Sequence, residues 1–176
     1  MNRVMIWGTN SGSGKSTFAR RLGDRLGIEP VHLDSIAWKP GWVSAPDEEI
    51  QAKISEVLAR ERWILEGSYS RHLFDERLQR AETIFFFDVN RFVCFYNAVK
   101  RRFQYHNKTR PDMGEGCPEK FDWEFAWWIL WQAPASRKRK RAVLQNLPGK
   151  NVFIIQNRKQ ANAFLTKESN FNHELD

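Results

Sequence analysis

Cysteine and histidine are scarce in this chain. Its 176 residues hold two cysteines, Cys94 and Cys117, and four histidines. Two thiols are too few for the framework of a disulfide-stapled secreted domain. They read instead as small core or surface residues in a reducing compartment. There is no Cys-x-x-Cys pair, and the histidines lack ligand spacing, which argues against a zinc site. Long apolar runs are missing too. "IFFF" and "FAWWILW" fall well short of the roughly 20 residues a membrane span needs. The opening "MNRVMIWGTN" has neither the apolar length nor the small-residue cleavage site of a secretory leader. No internal repeat, low-complexity linker, helix-turn-helix, zinc-finger or RNA-recognition signature is visible. These absences lead to the expectation of one cytoplasmic domain spanning 1–176, a monomer or homodimer without a membrane partner.

Positive charge and aromatic residues are plentiful. The formal net charge is +7, and there are eight tryptophans and thirteen phenylalanines. The charge favours anionic partners, either phosphorylated small molecules or nucleic acid. The aromatics read mainly as core, with some left to line a pocket for a flat ligand.

Apolar runs alternate with helical periodicity along the chain. "RVMIW" at 3–7, "PVHLD", "RWILEGSY", "TIFFFDV" and "NVFIIQ" read as five strands. Between them, Phe18, Leu22 and Leu26 mark a helix from Lys15, with Gly27 as its C-cap. Residues 47–61 form a second helix, with Ile50, Ile54, Val57 and Leu58 on one face. Ser44 and Asp47 have capping-box spacing at its start. A third helix, from about Arg91 to Tyr105, is expected to carry Phe92, Phe95, Tyr96, Val99 and Phe103 inward. A short aromatic helix "DWEFAWWILWQ", a basic helix "SRKRKRAVLQNL" and a last helix from Arg158 to about Lys167 complete the set, before a frayed polar tail. "SIAWKPGWVSAP" reads as a loop. Strands alternating with helices predict an α/β fold with three layers and a mostly parallel five-stranded sheet. The long insertion at about 104–134 is expected to be a helical lid or acceptor-binding segment.

"SGSGKST" directly follows the first strand and opens the first helix, which is the context of a phosphate-binding loop. Glycines let backbone N–H groups converge on one concavity, and the helix adds the positive end of its dipole. Ser11, Gly12, Ser13, Gly14, Lys15, Ser16 and Thr17 are therefore the phosphate-binding candidates. Lys15 reaches the terminal phosphates and Ser16 offers its hydroxyl to Mg²⁺. The strict P-loop pattern wants glycine where Thr9 stands, one place after Gly8. Either the loop begins with threonine or it is one residue longer. A flexible turn with a chance Lys-Ser is the bland alternative.

Three acids end strands, where ligands bind in such sheets: Asp34, Glu66 and Asp88. Any of them would suit the metal of a nucleotide site. The segments "GSGKST", "HLDSIAWKPGW", "WILEGSYS", "FFFDVNR", "KTRPDMGEGCPEKFDWEF" and "NRKQANAFL" resemble the FlaR-related "DNA topology modulation protein" family. That family is similar to the adenylate-kinase-like P-loop kinases, and the resemblance covers nearly the whole chain. It implies ATP with Mg²⁺. Glu66, before Gly67, takes the place of that group's metal-site acid. Asp88 takes the place of a structural acid capping the next helix. Asp34 stands where related kinases bind or activate the acceptor hydroxyl, as a general base or anchor, a turn cap being the alternative. Arg71 stands one residue from the arginine that grips an acceptor phosphate. Arg101 and Arg102, after the fourth strand, and Asn157 and Arg158, after the fifth, stand where such kinases cover the adenine.

Phosphoryl transfer needs cations that close over the moving charge. Arg137 and Arg141 share a helix face and are the lid candidates, with Arg110 in the loop beside them. A solvated basic face is the alternative for that run. Trp38 and Trp42 flank "WKPGW", which reads as an aromatic wall for the acceptor, and core packing is the alternative. Trp123, Trp127, Trp128 and Trp131 would anchor the insertion to the core. The expected function is a kinase moving the γ-phosphoryl of ATP to an unidentified small-molecule acceptor. The alternatives are a nucleic-acid-associated modulator of DNA topology, and a nucleotide-binding regulator that transfers nothing.

Overall fold

The computed structural model of the chain describes residues 1–106, 109–110, 112–118, 123–132, 136–145 and 147–172, with the backbone alone for Trp123 and 167–172. The rest of the polar insertion, the anchoring role of Trp123 and the tail after residue 172 lie outside the described residues.

The elements follow in chain order. β1 is Arg3–Gly8, α1 Lys15–Leu26, β2 Pro30–His32, α2 Leu33–Ala37, β3 Trp38–Lys39 and β4 Val43–Ser44. Then come α3 Asp47–Leu58, β5 Trp63–Glu66, α4 Phe74–Arg80, β6 Thr83–Phe87 and α5 Arg91–Gln104. α6, Trp123–Trp127, runs into a π-helical turn, Trp128–Gln132. α7 (Arg137–Gln145), β7 (Asn151–Ile155) and α8 (Arg158–Asn172) close the chain. The five expected strands form one parallel sheet in the order β2-β5-β1-β6-β7.

Two apolar layers sandwich the sheet. Strand side chains alternate between faces, so Met5 and Trp7 enter one layer while Val4 and Ile6 enter the other. The first layer packs β1, β5 and β6 against Ile36, Ile50, Ile54, Leu58 and Leu78. The second packs them against Phe18, Leu22, Cys94, Ala98, Ile129 and Leu165. Phe18 meets Phe85 and Phe87 edge-on, at 4.8 and 5.4 Å between centroids. Each buried side chain of that size contributes about 1.5–3 kcal/mol. This is the expected three-layer α/β fold, and both cysteines sit in it as buried free thiols.

Local details depart from the sequence expectation in five places. Trp127, Trp128 and Trp131 do not anchor the insertion: they are exposed, and Ala126 and Ile129 are buried in their stead. "SIAWKPGWVSAP" is not a plain loop. It holds α2 and the antiparallel β3–β4 hairpin, turned by Gly41 and Trp42 in left-handed conformations (φ 77° and 65°). The Ser44–Asp47 capping box does not form: Ser44 donates to the Ala45 carbonyl, and Pro46 begins α3 without a side-chain cap. α4, between β5 and β6, was not foreseen. The inward face of α5 is only partly the expected one: Phe95 packs half-buried against the second layer and Val99 is half-buried, but the other aromatics are not inward. Its buried residues are the small Cys94 and Ala98, while Phe92, Tyr96 and Phe103 are exposed. The cause is close approach. α5 lies so near the glycine loop that a Cβ on Gly12 would collide with the Cys94 carbonyl, which leaves no room for rings on that side. Among the described residues no helix is long and apolar enough to cross a membrane.

Candidate functional site

The loop between β1 and α1 lies at the C-terminal edge of the sheet. Gly8 belongs to the strand: it pairs with Phe87, and a Cβ there would meet the Phe87 carbonyl at 2.5 Å. Thr9 is therefore the first loop residue, and its N–H donates to the Phe87 carbonyl at 3.2 Å. Its φ is not positive, so a β-branched residue fits where the strict pattern has glycine. Gly14 does require glycine, at φ 92°. No side chain caps α1 and no acid stands in its first turn, which leaves its leading N–H groups to a bound anion. Lys15 arches over the loop, its Nζ donating to the Asn10 carbonyl (2.8 Å) and to Ser13 Oγ (3.2 Å). α5 holds the loop from the other side. Asn97 donates to the Gly12 carbonyl at 2.9 Å and Arg101 to Ser11 Oγ at 3.3 Å.

This loop floors a cleft of about 2080 Å³. One end of the cleft is lined by Arg20, Arg21, Lys100, Arg101, Asn157 and Arg158. Arg101 and Arg158 thus reach it. Asn157 does too, though its Oδ1 also accepts from the Gln160 N–H and so starts α8. Arg102 turns away from the cleft to His106, at 2.7 Å, which corrects its assignment to the base.

The opposite end is walled by Asp34, Trp38, Trp42, Gly67, Tyr69 and Arg110. Trp38 and Trp42 meet edge to face at 5.6 Å. Trp38 Nε1 donates to the Tyr69 hydroxyl at 3.0 Å, and that hydroxyl is hydrogen-bonded to Asp34. Burial, with Glu66 nearby, raises the Asp34 carboxyl above its ordinary range against the pull of Arg110, Tyr69 and Lys15. Burial and then the charge of Asp34 push the Tyr69 phenol up, so it stays protonated. Arg71 is exposed and does not line the cleft: the segment after Gly67 turns Tyr69 inward and Arg71 outward, against expectation.

Between the two ends stand Ser16, Glu66 and Asp112. Glu66 is buried at the end of β5, its Oε2 2.8 Å from His32 Nδ1 on the neighbouring strand. Asp112 comes from the insertion and accepts from the Ser16 hydroxyl. Burial alone would raise its carboxyl. The Arg110 guanidinium, helped by His32 and Ser16, outweighs burial and holds it below the usual carboxylate range. Arg110 donates to Asp112 Oδ2 at 2.8 Å, and both are buried. The insertion docks on the acceptor wall: Trp42 Nε1 donates to the Pro118 carbonyl (2.9 Å) and the Gly41 N–H to the Gly116 carbonyl (2.9 Å).

Arg137 and Arg141 do share a face, but they do not line this cleft. Both converge on Asp88. Arg137 donates from Nε at 2.5 Å and from its terminal nitrogen at 2.9 Å, and Arg141 from Nε at 2.7 Å. Asp88 is thereby an ion-pair anchor and not a helix cap. Asn90 caps α5, accepting from the Phe92 N–H at 2.9 Å. The cation of α7 that approaches the glycine loop is Lys140, donating to the Gly8 carbonyl at 2.9 Å. Burial, then Lys15 and Arg139, lower it to about 8.

His32, Tyr69, Asp112 and Lys140 were missed. Asp112 carried a signal, an acid two residues from Arg110 in an unusual string. Tyr69 carried a weaker one, two residues past Gly67.

No family model and no curated protein matches the sequence. Solved structures do match in fold. One is a shikimate kinase from Bacteroides thetaiotaomicron, 18% identical, with a TM-score of 0.56 over 98% of each chain. Another is a shikimate kinase from Acinetobacter baumannii in complex with shikimate. It is 14% identical, with a TM-score of 0.59 over 100% of this chain and 96% of that one. A third is a deoxyadenosine kinase from M. mycoides with bound dATP, 12% identical, with a TM-score of 0.50 over 97% of each chain. The fold is that of the P-loop kinases.

Proposed function

We propose that this chain is an ATP- and Mg²⁺-dependent kinase that transfers the γ-phosphoryl group to a hydroxyl of a small-molecule acceptor. The observation that carries the reading is that one cleft holds both the Lys15 loop and the Asp34 carboxyl. The kinase fold supports it without fixing the acceptor. We also place the chain in the FlaR-related branch, on the strength of its sequence segments, and in the cytoplasm, where ATP is abundant.

The residues between the two ends fit Mg²⁺: one hydroxyl and two carboxylates, oxygen donors throughout. Among the described residues no three His, Cys, Asp or Glu gather around a metal position. Mg²⁺ does not need such a cage, because phosphates and water complete its shell. Ser16, Glu66 and Asp112 would hold it, with His32 orienting Glu66. When bound it neutralises the β- and γ-phosphate oxygens.

The protein's part is positioning and charge. The loop amides and the α1 N-terminus hold the phosphates, and Lys15 exchanges its loop partners for them. Asp34 takes the proton of the acceptor hydroxyl. That oxygen bonds to the γ-phosphorus as the bond to the bridging oxygen breaks, and ADP leaves. The raised carboxyl of Asp34 makes it a stronger base than an ordinary carboxylate. Tyr69 and Trp38 fix its orientation.

The test is transfer of label from γ-labelled ATP to a panel of nucleosides, sugars and cyclitols. A labelled, phosphorylated product supports the reading. Tight ATP binding without any product favours the non-transferring regulator.

A further inference from the structure

The two ends of the cleft carry opposite charge. Lys15, Arg20, Arg21, Lys100, Arg101 and Arg158 line the nucleotide end. The acceptor end presents Asp34, with Glu66 and the Arg110-paired Asp112 beside it between the two ends. Among the described residues, the cation lining that end is Arg110, and it is ion-paired with Asp112 inside the protein. The neighbouring cations do not make up the difference. Arg71 stands outside the cleft, and Lys39 is paired with Glu49 at 2.5 Å. The remaining wall is aromatic, from Trp38, Trp42 and Tyr69.

A carboxylate or phosphate brought here would lie beside Asp34, and among the described residues the cations that act on Asp34 are already engaged, Arg110 with Asp112 and Lys15 with the phosphate loop. Desolvating a charge without a partner, next to a like charge, costs several kcal/mol. A hydroxyl-bearing ring meets no such penalty. It sets its hydroxyl on Asp34 and its face on the tryptophans, and an ammonium group gains from both the acids and the rings. We infer that the acceptor carries no negative charge: it is a neutral or cationic polyhydroxy compound, such as a nucleoside, cyclitol or amino sugar, and not a nucleoside monophosphate or a hydroxy acid. This rests on the kinase reading above and narrows its substrate class.

The experiment uses the full chain with ATP, Mg²⁺ and matched pairs of compounds. Each pair shares a hydroxyl framework and differs in charge, as a nucleoside and its monophosphate do, or an amino sugar and the corresponding sugar acid. Transfer is measured as kcat/KM, and binding by tryptophan fluorescence. The uncharged or cationic member is expected to lead by at least about 100-fold, the size of a 2.7 kcal/mol difference. An anionic member that equals or exceeds its partner overturns the inference while leaving the kinase reading standing. If ATP binds and no compound is phosphorylated, the kinase reading fails. The binding order of the same pairs then decides the charge question, and binding of neither member overturns it too. Asp112→Asn, which releases Arg110, is expected to cut the discrimination against anions at least tenfold. Unchanged discrimination in a folded variant counts against the role given to that pair.

Discussion

The two ends of the cleft are built in different ways. The phosphate end is largely contiguous: Thr9 to Thr17 form the loop and open α1, with α5 bracing the loop and Lys140 of α7 reaching the Gly8 carbonyl before it. The acceptor end is assembled from residues far apart in sequence. Asp34 and Trp38 come from one segment, Tyr69 from another, and Arg110 and Asp112 from the insertion. The first end is basic and ringed by main-chain donors, and the second is acidic and aromatic. A phosphate site can be written into ten consecutive residues because backbone amides do most of the binding. An acceptor site needs particular side chains at particular distances, which only the fold brings together.

The sharpest way to break the comparison is at Lys15. Lys15→Ala is expected to lower transfer about 10³-fold with the thermal midpoint nearly unchanged, because among the described residues the hydrogen bonds of Lys15 go to its own loop. At the other end, Asp34→Asn is expected to lower kcat about 10²-fold and leave ATP affinity intact. The pH profile separates it from a structural defect. A carboxyl raised by burial loses its charge as pH falls through a value above the ordinary 3.8, so activity falls on the acid side earlier than for an ordinary carboxylate. That limb is expected to vanish in the asparagine variant. If ATP affinity falls with kcat instead, the two ends are not separate.

How much of this was legible followed from range. The five strands were readable because continuous apolar runs such as Ile84–Phe87 mark buried parallel strands. The Lys15 loop was readable from its neighbours alone. The inward face of α5 was not, because large aromatics outrank Cys94 and Ala98 in any apolar pattern. What set Cys94 and Ala98 rather than rings against the loop was the nearness of Gly12, a tertiary fact. For the same reason Arg137 and Arg141 read as phosphate cations. Their spacing was right, but their target was Asp88, which could be matched to them only after β6 and α7 were placed side by side.

Smaller effects refine this division. Arg137→Ala with Arg141→Ala is expected to cost about 1–3 kcal/mol of stability, mostly from leaving the buried Asp88 without its donors. The guanidinium groups are nearly half exposed, so solvent reduces what each pair contributes. Urea unfolding measures it, and a loss of activity without a loss of stability would return these arginines to the phosphates. Lys140 gives the smallest signal. Its folded value of about 8 lies below the ordinary 10.5, so above pH 8 the unfolded chain holds more protons than the folded one. Stability should therefore rise between about pH 8 and 10.5, all else equal, and Lys140→Met should flatten that rise.

The central claim is that both substrates of a phosphoryl transfer meet in this cleft. A crystal structure with a non-hydrolysable ATP analogue and Mg²⁺ tests it most directly. The account predicts the γ-phosphate on Lys15 and the loop amides, its open face toward Asp34. An analogue bound away from the glycine loop, or a γ-phosphate walled off from Asp34, would contradict it.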